Sequence, residues 1–172
     1  MKLLAALFSL CIAGTALAAP KPDVIYVATP QPVVDAMLEM AKVAPGDVLY
    51  DLGSGDGRIP ITAAKRFGVR AVGIEIDVAL VREASRIARR QRVDHLATFR
   101  KTDLFEADLS EASVVTLYLL DTLNLRLRPK LLRELKPGSR VVSHAFDMGE
   151  WKPDAVREVD GNTIYLWTIP PR

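Results

Sequence analysis

The stretch Asp47-Val-Leu-Tyr-Asp-Leu-Gly-Ser-Gly-Asp-Gly-Arg58 decides the fold. Val48, Leu49 and Leu52 make a short apolar strand that runs into Gly53, Gly55 and Gly57, a turn in which the backbone can come close to a ligand. Arg58–Phe67 then reads as a helix, so the order is strand, glycine turn, helix, with a nucleotide-like ligand expected at the helix N-terminus.

That order is the first crossover of a Rossmann-type sheet, and the glycine spacing separates two ligand classes. A dinucleotide turn reads Gly-x-Gly-x-x-Gly, with the third glycine five positions after the first. Here Gly57 follows Gly53 by four positions, Arg58 holds the fifth, and Asp51 sits two residues before Gly53. A carboxylate at the strand end repels a pyrophosphate. S-adenosylmethionine has no phosphate and carries an ammonium and a sulfonium, so Asp51 beside the turn suits it electrostatically. The expected donor contacts here are Asp51, Gly53, Ser54, Gly55 and Gly57.

N-terminal to this stretch, Met1–Ala18 has Lys2, an apolar run over Leu3–Ile12 and the small-residue ending Ala16-Leu17-Ala18, the build of a secretory signal with an Ala-x-Ala cleavage site. Its apolar core is short for a transmembrane helix; an uncleaved anchor is the alternative, and either form exports the body of the protein. Cys11, the only cysteine, lies inside this segment, so the body has no disulfide, no cysteine nucleophile and no cysteine metal site. Lys2 is the only charge there; the whole chain holds 23 Lys and Arg against 21 Asp and Glu, so Ala19–Arg172, one domain in size, is close to neutral and no nucleic-acid partner is expected. Arg82, Arg86, Arg89, Arg90 and Arg92 on one helix, and Arg126, Arg128, Lys130 and Arg133 on another, read as solvated charge. Val24-Ile-Tyr-Val-Ala28 is an extended lead-in, Thr29 is expected to cap a helix over Pro30–Lys42, and Tyr26 and Thr29 either touch the ligand or only pack.

C-terminal to it, Arg70–Glu75 is a second strand ending in a carboxylate 22 positions after Gly53, where a ribose would present its hydroxyls. Asp77 is the second choice for that role and a simpler N-cap for Val78–Arg92. Asp103, after a third strand at Ala97–Lys101, faces either the adenine amino group or its own turn. Ser113–Leu120 reads as a central strand, with Tyr118 near its end and Asp121 and Asn124 after it as candidate substrate contacts, and Leu123–Leu135 as a helix despite Pro129. A fifth strand at Arg140–His144 precedes His144, Asp147 and Glu150, a thin pattern for a metal site, and no metal is expected. Ala155–Val159 and Thr163–Ile169 around Asp160-Gly161-Asn162 read as an antiparallel hairpin.

Asp51-Leu-Gly-Ser-Gly-Asp-Gly57, Glu75 and Asp103, on an alternating strand–helix layout with a terminal hairpin, resemble the class I S-adenosylmethionine-dependent methyltransferases. The Tyr26-Val-Ala-Thr-Pro30 lead-in and the apolar N-terminus are further similar to membrane-anchored protein lysine methyltransferases that include the enzyme for the c-ring protein of ATP synthase. The resemblance implies an α/β, Rossmann-like, mostly parallel sheet with helices on both faces, S-adenosylmethionine as cofactor, and in-line methyl transfer to a protein lysine or a small amine. Tyr118 and Asp121 are then expected to orient the amine, with Asp121 its proton acceptor or merely a helix cap. A non-catalytic nucleoside-binding protein and a nicotinamide-dependent oxidoreductase are the alternatives. The second fails to account for Asp51 and the glycine spacing. Membrane association through residues 1–18 is compatible with this reading, and the sequence leaves oligomeric state open.

Overall fold

The computed structural model describes residues 26–172; Met1–Ala18, expected from the sequence to be a signal or an anchor, lies outside them. Among the described residues four helices, α1 (Gln31–Met40), α2 (Arg58–Phe67), α3 (Val78–Arg90) and α4 (Asp121–Glu134), are interleaved with seven strands. The strands are β1 (Val48–Leu52), β2 (Arg70–Glu75), β3 (Ala97–Lys101), β4 (Val114–Leu117), β5 (Arg140–His144), β6 (Ala155–Val159) and β7 (Asn162–Thr168). They form one sheet in the order β3-β2-β1-β4-β5-β7-β6. β1 pairs in parallel with both β2 and β4, and β7 alone is antiparallel to its neighbours β5 and β6.

Alternation along the strands divides the core into two layers. Leu49, Val114, Val142 and Ile164 face the layer built by Val33, Val34 and Met37 of α1 with Ile59 and Ala63 of α2, and α3 joins that side through Ala88 against Ala97. Tyr50, Val115 and Val141 face the opposite layer, where Leu123, Leu127 and Leu131 of α4 pack with Leu109 and Trp167. Pro129 sits on the exposed side of α4, so the helix runs through it. β1 and β4 are buried on both faces, as their apolar runs require. The strand order turns back between β1 and β4, and in such sheets the crevice beyond the carboxyl ends at that point is where ligands bind.

Five elements differ at their ends from the sequence reading. Thr29 does not cap α1: Pro30 holds that position without a side-chain bond, and Thr29 turns towards the sheet instead. α3 stops at Arg90, β4 stops at Leu117, and the hairpin's second strand begins and ends one residue earlier. α4 begins at Asp121, two residues early, after a three-residue connection from β4. The basic residues of α4 prove structural in part: Arg126 lies over the Phe105 ring, Arg128 bonds the Met148 carbonyl and Lys130 pairs with Glu134.

Candidate active site

A cavity of about 360 Å³ opens at the switch point, within the range of small-molecule sites. Gly53, Ser54 and Asp56 of the glycine turn line it; Gly55 and Gly57, expected as donor contacts, do not. The Gly53 and Ser54 amides both donate to the Ile74 carbonyl, at 2.9 and 3.0 Å, tying the turn to β2. Gly57 starts α2 at φ 79°, and a Cβ there would strike the Phe99 ring and Ala84; a side chain at Gly55 would strike the Tyr26 ring, which lies over the turn.

Asp51, at the end of β1, is 3% exposed and accepts a hydrogen bond from the Thr116 hydroxyl at 2.7 Å. Burial, with Glu75 and Asp56 nearby, pushes its carboxyl up to about 7. A buried carboxylate without a cation is unfavourable, and a cationic ligand supplies the missing partner. Glu75 accepts from the Gly55 amide through Oε2 at 2.9 Å and from the Ile76 and Asp77 amides through Oε1 at 2.7 and 2.9 Å. These bonds fix its orientation and leave one lone pair, on Oε2, for a hydroxyl. Asp77 caps α3 through the Ala79 amide, as expected, and also lines the cavity. Asp103 accepts from the Phe105 amide at 2.9 Å and lines the cavity too, so the turn role and the ligand-facing position coexist. Leu104, Phe105, Ile76 and Leu80 supply an apolar slot beside it. Ser54 Oγ is buried in the cavity wall without a partner.

Tyr26, Thr29 and Tyr118 line the cavity as well. Asp121 is not brought in: it is exposed on the first turn of α4 and accepts from the Thr122 amide, while Leu119 and Leu123 hold the lining positions around it. Asn124 is likewise withdrawn. It is fully buried, and its Nδ2 donates to Ser143 Oγ and the Phe146 carbonyl, which pins the segment after β5. His144, Asp147 and Glu150 do not gather, and no group of three or more metal-ligating side chains occurs among the described residues.

Sequence reasoning missed Arg58 and the second role of His144. The Arg58 guanidinium grips Asp56 through Nε and Nη2, at 3.0 and 2.7 Å, and donates from Nη1 to the Thr29 carbonyl at 2.8 Å. It thereby fastens the lead-in to the glycine turn. The only hint was an arginine directly after the third glycine; its partner lies 29 residues away. His144 stacks on Tyr118 with ring centroids 3.9 Å apart and reaches Thr29 and Asn162 through its two nitrogens.

Five carboxylates line the cavity, Asp51, Asp56, Glu75, Asp77 and Asp103, against one cation, Arg58, already paired with Asp56. That charge pattern repels phosphate and attracts an ammonium or sulfonium. With the strand order and the glycine turn, it defines a class I methyltransferase dependent on S-adenosylmethionine. The family described as the ANTKMT methyltransferase domain matches residues 51–155. The chain is 52% identical over 153 residues to a protein-lysine N-methyltransferase of Saccharolobus islandicus (strain REY15A), covering 86% of this chain and 95% of that one. It is 36% identical to the Mus musculus adenine nucleotide translocase lysine N-methyltransferase, over 84% of this chain and 62% of that protein. A solved RNA methyltransferase from Salinibacter ruber, in complex with S-adenosyl-L-homocysteine, matches with a TM-score of 0.84 at 59% identity, over 85% of this chain and 95% of that one. The chain belongs to the ANTKMT methyltransferase domain family.

Proposed function

We propose that this methyltransferase acts on the side-chain amine of a protein lysine. The observation that carries the reading is the likeness to the Saccharolobus islandicus protein-lysine N-methyltransferase, which spans nearly the whole of both chains. The donor is held by Gly53 and Ser54 of the turn that Gly55 and Gly57 shape, with Asp51 serving its ammonium, Glu75 the ribose, Asp103 the adenine, and Tyr26 and Thr29 closing over it. The donor supplies a methyl already activated on a sulfonium that leaves as a neutral thioether. The protein's part is to align the amine, exclude water and remove a proton. Tyr118 stands on the acceptor side, where the apolar walls Leu119 and Leu123 lower the lysine pKa by disfavouring its charged form. Asp121 reaches the amine only if the acceptor brings it in.

The Salinibacter ruber relative, an RNA methyltransferase by its description, supports a second reading, methylation of RNA. The carboxylate lining argues against it, since a polyanion would meet a cavity of its own sign. Transfer of isotopically labelled methyl from S-adenosylmethionine to lysine-rich polypeptides and to total RNA, read by hydrolysis and mass spectrometry, separates the two. Methyl-lysine is the expected product; label on RNA bases alone would overturn the reading.

We further propose that residues 1–18 export the protein or anchor it to a membrane, with N-terminal sequencing of the mature chain as the test. An intact Met1 in a soluble, unprocessed protein would exclude both. No helix among the described residues is long and apolar enough to cross a membrane.

A further inference from the structure

We propose that Thr29, His144 and Asn162 form a proton relay that takes the proton of the acceptor amine, an assignment that rests on the amine reading above. The three residues come from the lead-in, the end of β5 and the start of β7, and they make one hydrogen-bonded row. His144 is 1% exposed, with Nδ1 3.4 Å from Thr29 Oγ1 and Nε2 3.1 Å from Asn162 Oδ1.

The direction of the row follows from its far end. Asn162 Nδ2 donates to the carbonyls of Val159 and Asp160, which aims Oδ1 at the imidazole. Oδ1 only accepts, so His144 carries its proton on Nε2 and presents a bare Nδ1 to Thr29. The Thr29 hydroxyl therefore donates to Nδ1, and its own lone pairs are left for a donor in the cavity that Thr29 lines. An amine N–H is such a donor. The imidazole meets Thr29, Tyr118 and Asn162, the Phe146 amide bonds the His144 main-chain carbonyl, and Ile164 lies opposite on β7. Burial, against the Asn162 bond, holds His144 below its usual value, with no charged group among the causes. The imidazole is thus neutral and ready to accept at neutral pH.

In the step itself an ammonium N–H bond breaks and the proton passes to Thr29 Oγ1 as the Thr29 hydroxyl proton moves to His144 Nδ1. The nitrogen lone pair so released forms the new N–C bond while the carbon–sulfur bond breaks, its electron pair staying on sulfur. His144 holds the extra proton as an imidazolium bonded to Asn162, and returns it through Thr29 to solvent when the products leave. The 3.4 Å bond is long, as such bonds often are before substrate is bound.

Two measurements test the relay. Nitrogen-detected NMR of the wild-type protein at neutral pH is expected to show His144 protonated on Nε2 and bare on Nδ1; a proton on Nδ1 overturns the relay whatever the acceptor is. The second is kcat against pH for methyl transfer to a lysine polypeptide, with donor affinity by calorimetry alongside. His144→Gln is expected to lower kcat ~100-fold near neutral pH, with KM and donor affinity little changed. The deficit should narrow towards pH ~10, where lysine loses its proton unaided. With donor saturating, Thr29→Val should show the same kcat deficit, Thr29→Ser should restore activity, and the double variant should be no worse than either single one. A deficit of equal size at every pH, or one that tracks donor affinity, overturns the relay while leaving the amine reading intact. Absence of transfer by the wild type overturns both. Should His144→Gln fail to fold, the Thr29 pair decides.

Discussion

Asp51 carries the largest conflict between stability and function at any one position. Its folded-state carboxyl titrates near 7 against 3.8 for a freely solvated aspartate, so between those values the folded chain holds a proton that the unfolded chain has released. Stability from this group is complete below the lower value and is lost as pH rises through the upper one. The loss is at most ~4 kcal/mol for a shift of this size. Asp51→Asn removes the charge and keeps a partner for Thr116, so urea unfolding at about pH 8 should find the variant more stable by ~1–4 kcal/mol. The two proteins should converge near pH ~4. Donor affinity of the same variant, by calorimetry, should fall at least tenfold, about the worth of one charge-assisted contact. Because a cationic donor favours ionised Asp51, wild-type affinity should rise roughly tenfold from about pH 5.5 to about pH 7, with proton release detectable by changing the buffer. A flat profile would mean that Asp51 is ionised without the donor.

At the scale of elements, residues 26–30 of the lead-in form no strand or helix, and Arg58 ties them to the glycine turn. One side chain joins the start of α2, the glycine turn and the segment that closes the cavity. Arg58→Ala should therefore weaken donor binding about 5- to 20-fold, the worth of one or two hydrogen bonds to a charged group, while shifting unfolding by ~1 kcal/mol or less because the pair is part-exposed. Arg58→Lys should not restore binding, since a single ammonium cannot hold both Asp56 oxygens and the Thr29 carbonyl. Calorimetric titration of both variants, with thermal melts as the control, checks the pair of expectations. Arg58→Ala binding the donor like wild type would detach the lead-in from the site.

For the whole molecule, one sheet with packed layers on both faces predicts a single cooperative unfolding transition, to which the donor is coupled by mass action. S-adenosylmethionine at ~100 times its Kd should add ~2.7 kcal/mol, or ~5–10 °C in Tm for a domain of this size. NAD at the same concentration should leave Tm unchanged, because its pyrophosphate meets the carboxylate lining. A shift with NAD alone would contradict that electrostatic account.

Local chemistry was enough for the sequence to determine the strand–turn–helix of Val48–Phe67, the second, third, fifth and sixth strands to the residue, the Asp77 cap and the carboxylates at the strand ends. Each follows from residues within a few positions of one another: β-branched runs, glycines and a capping acid. Tertiary structure alone decided the rest. It took Thr29 from its capping position and set it beside His144, 115 residues away; it closed Arg58 onto the lead-in, buried Asp51 far enough to raise its carboxyl to about 7, and left Asp121 and Asn124 out of the cavity. The strand order sets these distances, and no local pattern encodes which side chains β1, β4, β5 and β7 bring to the same end of the sheet.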